Sequence, residues 1–299
     1  MTLNRATTIA ELQDILSQLF TKQGVASGLA FEPKPDDVII SPYSKCGTTW
    51  LQQTVHGLRT RGSMDFGEIT EVVPWIEAAA DLGQDLTAAQ VAQPRVFKSH
   101  LPFDKIPRGG RYICVVRDPV RALISMYKFF EGWLMEVGAI DFEEFAYELY
   151  LGRTAPAGYW HHLATWVEQK DNPDVLLLCY EDLQASFAAY LPVIAKFLRL
   201  PLDDELEQIV IRQSSLDFMR ANNTHFDDHF LRKAHERSSG ITPDGSSSKV
   251  SSVEAAADRP EPSEQLVRDM QARWEQEVTP RIGFQDYTQL KQYLSGNSE

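Results

Sequence analysis

Residues 37–58 read DVIISPYSKCGTTWLQQTVHGL. The apolar Val38, Ile39 and Ile40 open a predicted strand, Val38–Pro42, and a helical pattern runs from Thr49 to Arg59. Strand, loop and helix in this order form a phosphate-binding layout. Successive backbone N–H groups at a helix N-terminus, together with the helix dipole, favour an anion. The loop is not the nucleoside-triphosphatase version, which reads Gly-x-x-x-x-Gly-Lys-[Ser/Thr]. Here Lys45 precedes the one glycine, Gly47, and Thr48 and Thr49 follow it. Lys45 supplies a mobile positive charge, and the threonines supply hydroxyl donors. A plain turn with a helix cap would use the same Gly-Thr-Thr, but the order of the elements favours the phosphate reading.

Three more β-type runs follow, Arg95–Lys98, Tyr112–Val116 and Val175–Cys179. Helical patterns cover Val120–Phe130, Tyr159–Glu168 and Phe187–Leu198, and a short amphipathic helix covers 9–20. Strands alternating with helices predict an α/β fold, a central parallel sheet flanked by helices, with ligands at the carboxyl ends of the strands. The Ser/Gly/Pro-rich stretch 238–263 reads as a mobile loop, and a last helix is expected over Ser263–Glu277. No linker divides the core, so residues 1–299 are expected to be a single domain, with 1–34 as an N-terminal helix and lead-in.

Each strand end carries chemistry. VFKSHLP places Lys98 and His100 on the same side of an extended chain, and a histidine there is a candidate general base. Arg117 stands at the third strand tip, and Ser125 is about two turns down the next helix. The fourth strand ends in Tyr180, Glu181 and Asp182, where Asp182 is either a rim acid or a helix cap. Together these residues describe a basic pocket with an aromatic residue and one titratable base. No carboxylate in the set stands out as a magnesium ligand, as a P-loop kinase requires.

Bulk properties narrow the class. A net charge of −13 argues against a nucleic-acid binder. The three cysteines are scattered with no C-x-x-C pair, which suits a reducing compartment. The stretch MTLNRATTIAELQDILSQLF lacks the apolar core of a signal peptide, and no run approaches bilayer length. The expectation is a cytoplasmic protein without a membrane span. His225 and His229, four apart with two aspartates between, have the spacing of a helical metal pair, with a polar lid segment as the alternative.

From about Pro35 to Met219 the chain resembles the cytosolic-type sulfotransferases that use 3′-phosphoadenosine 5′-phosphosulfate (PAPS). The family's Tyr-Pro-Lys-Ser-Gly-Thr-Thr-Trp loop appears as Tyr43-Ser44-Lys45-Cys46-Gly47-Thr48-Thr49-Trp50, and its Lys-Thr-His-Leu-Pro as Lys98-Ser99-His100-Leu101-Pro102. The resemblance assigns the 3′-phosphate to Arg117 and Ser125 and adenine contact to Tyr180. It maps the family's Thr-Ser-Phe-x-x-Met onto Ser214 through Met219, with Leu216 in place of an aromatic residue. Arg232 and Lys233 match the start of the family's Arg-Lys-Gly, but Ala234 replaces the glycine, no Gly-Asp-Trp follows, and the family's dimer motif is missing. These departures look more like a bacterial branch.

The resemblance implies sulfuryl transfer from PAPS to a hydroxyl or amine of a small, largely apolar acceptor, leaving 3′,5′-phosphoadenosine phosphate (PAP), with no metal. His100 would be the base. Lys45 would neutralise the leaving phosphate, with Ser125 restraining it until the acceptor arrives. Lys98 would stabilise the sulfuryl oxygens. Trp75, Phe103, Phe130, Trp133 and Tyr159 are expected to wall the acceptor pocket, and His162 matches a family pocket position. Residues 220–262 are expected to close as a lid over nucleotide. The alternatives are a nucleotide-binding protein of the same fold without turnover and a P-loop kinase.

Overall fold

The computed structural model describes residues 5–153, 155–239 and 259–296. Four parallel strands, β1 (Val38–Ile40), β2 (Val96–Lys98), β3 (Arg111–Val116) and β4 (Val175–Cys179), form one sheet in the order β2-β1-β3-β4. The chain leaves β1 toward one edge and continues from β3 toward the other. The crevice beyond the carboxyl ends of β1 and β3 is therefore the topological switch point, where such sheets bind ligands.

Helices cover both faces. Before the sheet come α1 (Ile9–Gln18), capped by Thr8, and α2 (Lys22–Leu29). Between the strands lie α3 (Thr48–Thr60), α4 (Ile69–Val72), α5 (Pro119–Glu131), α6 (Phe142–Phe145) with a π-helical turn (Ala146–Leu151), and α7 (Tyr159–Val167). After β4 come α8 (Tyr180–Leu198), α9 (Asp204–Gln213), α10 (Leu216–Ala221), a 3-10 turn (Asn223–Phe226) and α11 (His229–Ser239). The chain closes with α12 (Glu264–Glu277), α13 (Thr279–Ile282) and α14 (Tyr287–Gly296). Strand side chains alternate between the faces. Val38 and Ile40 pack with Leu51 and Val55 of α3, while Ile39 joins Phe97 and Trp166 on the other side.

Several boundaries differ from the sequence pattern, among them β1, which ends at Ile40 rather than Pro42. Helix α8 begins at Tyr180, directly after β4, and carries a break at Ser186 (φ −149°, ψ 50°), which explains why the regular pattern is visible only from Phe187. Ser263 belongs to the cap of α12, with its N–H and Oγ both bonded to Glu143 (2.7 and 3.0 Å). Residues 238 and 239 belong to α11, and the rest of the expected loop up to 258 lies outside the described residues.

A buried ion pair locks the amino ends of β1 and β2. Arg95 donates to Asp37 from Nε (2.9 Å) and Nη2 (2.5 Å), and its Nη1 reaches the Leu86 carbonyl at 2.9 Å. Both side chains are 5% exposed or less. Removing one partner of such a pair leaves the other charge buried, at a cost of about 3–5 kcal/mol. Asp37→Ala is therefore expected to lower the unfolding free energy by about that amount in urea titration. A loss below about 1 kcal/mol would place the stabilisation elsewhere.

Candidate active site

The loop after β1 is held in an uncommon shape. Lys45 (φ 67°) and Gly47 (φ 93°) are both left-handed, a conformation that is costly for a lysine. Arg117, leaving the end of β3, offsets that cost by donating from Nη1 to the Lys45 carbonyl at 2.6 Å. Left-handed turns of this kind gather neighbouring N–H groups into an anion-binding concavity. Gly47 has a second constraint, because a Cβ there would lie 3.0 Å from Cδ2 of Tyr180.

Side chains around the loop divide into inward and outward sets. Cys46 faces in. Its N–H donates to the Tyr43 carbonyl (3.1 Å), its Sγ lies 3.8 Å from the Ser44 carbonyl, and burial pushes the thiol up to about 12. Thr48 Oγ1 and Trp50 Nε1 are buried donors with no hydrogen-bond partner among the described residues. The Trp50 ring lies between Tyr180 (5.9 Å) and Phe187 (5.2 Å). Thr49 is half-buried.

Three cations rest on three aromatic faces. Lys45 Nζ is 4.0 Å from the Phe129 centroid, Lys98 Nζ is 3.7 Å from Trp75, and the Arg117 guanidinium carbon is 4.1 Å from Tyr180. Ring quadrupoles hold such charges in place where water is scarce, and Lys98 is only 3% exposed. Phe129 is four residues after Ser125, so the two share a face of α5.

His100 has a defined tautomer. Its Nδ1 lies 2.8 Å from the Pro42 carbonyl, which can only accept. Nδ1 therefore carries the proton, and Nε2 keeps the lone pair of the neutral ring. Trp75 packs edge-on against the imidazole (5.2 Å, 88°), and Phe20 packs edge-on against the Trp75 ring at 4.9 Å. The His100 N–H donates to Glu77 Oε1 at 2.8 Å. Burial pushes the Glu77 carboxyl up, and the His100 N–H opposes that shift.

The remaining sequence candidates divide. Trp75 reaches the site, and Trp133 packs edge-on against Phe129 at 5.6 Å. Phe130 turns into the core against Phe145, and Phe103 packs with Tyr112 and Trp166 under Arg108. Tyr159 is buried, and its hydroxyl donates to the Arg117 carbonyl. Ser214 Oγ meets Thr54 Oγ1 at 3.2 Å, Met219 is buried, and Leu216 is 51% exposed. Arg232 is buried against Asp227 (3.2 Å), while Lys233 is exposed. His225 sits in the 3-10 turn and His229 opens α11, with left-handed Asp228 between them, so the two do not share a helix. Among the described residues, no three His, Cys, Asp or Glu side chains converge as a metal site.

Glu77, Phe20 and Phe129 are site residues that sequence reasoning missed. Signals existed for two of them, because Glu77 follows Trp75 by two residues and Phe129 follows Ser125 by four. The C-terminal helix was missed entirely. Tyr287 donates to Glu181 Oε2 (2.5 Å), and Ser295 and Lys291 hold Asp182 (2.5 and 3.3 Å). Asp182 thus anchors α14 to the turn that presents Tyr180, rather than capping a later helix.

His162 and His56 are both 2% exposed. Burial lowers each ring to about 3, helped at His56 by Arg59. Both rings should therefore keep neutral NMR shifts from about pH 8 to pH 5. Their folded values lie below the unfolded 6.5, so the stability they contribute is present above pH 6.5 and is lost as pH falls toward 3. A ring that titrates near pH 6.5 in the folded protein would contradict this burial.

The sulfotransferase domain model matches residues 35–251. Sulfotransferase 1B1 of Canis lupus familiaris is 29% identical over 205 residues, 64% of this chain and 69% of that protein. Sulfotransferase 1C2 of Rattus norvegicus is 25% identical over 231 residues, 74% of this chain and 78% of that protein. In fold the chain is similar to retinol dehydratase in complex with retinol and PAP (TM-score 0.66, 15% identity, 86% of each chain). It is also similar to a mouse sulfotransferase in complex with PAP (TM-score 0.63, 18% identity, 93% and 95% of the two chains). With the family model spanning most of its length, the chain belongs to the sulfotransferase family.

Proposed function

We propose that this sulfotransferase transfers the sulfuryl group of PAPS to a hydroxyl, or an amine, of a small, largely apolar acceptor, with His100 as general base. The observation that carries the reading is the His100 tautomer, with Nδ1–H bonded to the Pro42 carbonyl and Nε2 left as the basic nitrogen of the neutral ring, at the same sheet edge as the left-handed loop. The residues present fit the nucleotide. The loop presents the α3 N-terminus, Thr48 Oγ1 and Trp50 Nε1 are buried donors lacking a partner among the described residues, and Gly47 leaves the space beside Tyr180 that a Cβ would fill. PAP found in two solved structures of the same fold agrees with this. Three free, buried cysteines suit a cytoplasmic setting, and no helix among the described residues is long and apolar enough to cross a membrane.

In this reading His100 Nε2 takes the acceptor proton as the acceptor oxygen bonds to sulfur. The bond from sulfur to the 5′-phosphate oxygen breaks, and Lys45 neutralises the charge that collects there. Ser125, one turn before Phe129, restrains Lys45. Lys98 stabilises the sulfuryl oxygens, and its seat on Trp75 keeps it from reorganising during the step. Arg117 and Ser125 bind the 3′-phosphate, Tyr180 and Trp50 flank adenine, and Ser214, Leu216, Met219, Arg232 and Lys233 border the nucleotide. The acceptor lies among Phe20, Trp75, Phe129 and Trp133, with His162 in the wall behind.

Two measurements test the reading. His100→Ala should lower kcat about a hundredfold or more with PAP affinity nearly unchanged. Turnover that survives in a folded His100→Ala protein would remove the base. Arg117→Ala should weaken PAP about thirtyfold more than it weakens the analogue lacking the 3′-phosphate, because a charge-assisted Arg contact is worth about 2 kcal/mol. Arg117 also supports the loop, so only the ratio of the two losses is diagnostic, and equal weakening would move the 3′-phosphate elsewhere. Calorimetry of PAP binding without magnesium, followed by a turnover assay, separates this enzyme from a kinase and from a non-catalytic binder.

A further inference from the structure

We infer that Glu77 is a positioning residue for His100, holding the base in register by taking over a sheet hydrogen bond at the place where the strand ends. The inference rests on the proposed role of His100. The segment before Glu77 runs beside β2 as a parallel partner, with Trp75 opposite Lys98. The Lys98 N–H donates to the Pro74 carbonyl (2.8 Å), and the Ile76 N–H donates to the Lys98 carbonyl (2.9 Å). Continuing that parallel pattern would send the His100 N–H to the Ile76 carbonyl. Glu77 Oε1 receives it instead, at 2.8 Å.

This substitution has a geometric consequence. A backbone acceptor would carry the strand onward, whereas the carboxylate lets the chain turn at His100. The next N–H, that of Leu101, bonds the Ser99 hydroxyl (3.1 Å), and the Leu101 carbonyl accepts from Ser41 Oγ (2.9 Å). His100 is thereby fixed at three points: its N–H by Glu77, its Nδ1 by the Pro42 carbonyl and its ring by Trp75. Glu77 is 8% exposed, so this carboxylate bond is little competed for by water. It touches the backbone of His100 and not the reacting edge of the ring. Its loss should therefore degrade the aim of Nε2 while leaving the nucleotide loop, which hangs from β1 and Arg117, in place. An error of about 1 Å in a catalytic group is enough to cost about a hundredfold in rate.

The test uses the full chain with Glu77→Ala, Glu77→Asp and Glu77→Gln. Alanine removes the acceptor, and aspartate keeps the charge but is one methylene short. Both should lower kcat at least tenfold, with PAP affinity and acceptor KM within about threefold of the parent. Glutamine retains a carbonyl oxygen at the same reach and should recover most of the turnover. Nitrogen-15 spectra of the histidine rings should show Nδ1 protonated in the parent and in Glu77→Gln, and a mixture of tautomers in Glu77→Asp. Parent-level kcat in Glu77→Asp, or Glu77→Gln as slow as Glu77→Asp, would overturn the inference. So would a fall in PAP affinity that matches the fall in kcat, since a merely structural role predicts that. If Glu77→Ala does not fold, the aspartate and glutamine pair decides. If His100→Ala itself retains turnover, the proposed base fails. If His100→Ala is inactive and Glu77→Asp is not impaired, only the role of Glu77 fails.

Discussion

The hydrogen bond from Arg117 to the Lys45 carbonyl is the contact on which the site's arrangement depends. It joins the ends of the two central strands across the switch point of the sheet. It holds a lysine in a backbone conformation that lysine otherwise avoids. With Lys45 left-handed, its ammonium reaches the Phe129 face and the following residues open the N-terminus of α3. The same guanidinium lies over Tyr180, so one side chain orders the loop and the aromatic wall together.

Support for that contact comes from distant parts of the chain. The Arg117 carbonyl accepts from Tyr159 of α7, while Glu181, beside Tyr180, bonds the Asp118 N–H and the Tyr287 hydroxyl. The C-terminal helix therefore braces the start of α8, which presents Tyr180. At the end of β2, Glu77 and the Pro42 carbonyl do the same for His100. Electrostatics follow the same plan. The chain carries a net charge of −13, and the cations at the strand ends rest on aromatic rings. The ring contacts limit their motion.

Much of this was legible in the residues. The four strands, the loop after β1 and the helices after β1, β3 and β4 follow from apolar runs and turn chemistry, because hydrophobic periodicity and local capping are encoded over a few residues. Lys45, Lys98, His100, Arg117 and Tyr180 could be placed at one sheet edge because each stands at or just past the end of a readable strand. Pocket walls were harder. Adjacent aromatic residues on a helix point about 100° apart, so Phe129 and Phe130 differ by a rotation that composition does not reveal. Phe103 was expected in the pocket, yet it packs in a separate cluster with Tyr112 and Trp166.

The sequence by itself determined the class of fold, the loop between β1 and α3 and the identity of the charged groups, since each depends on neighbours within a few positions of the chain. Only the tertiary structure decided the sheet order, the tautomer of His100, the partners of Glu77 and the bracing by Tyr287. Those depend on hydrogen bonds between residues far apart in the chain, such as His100 to Pro42 and Tyr287 to Glu181. Such pairs carry no local periodic signal, because what brings them together is the packing of the whole sheet and its helices.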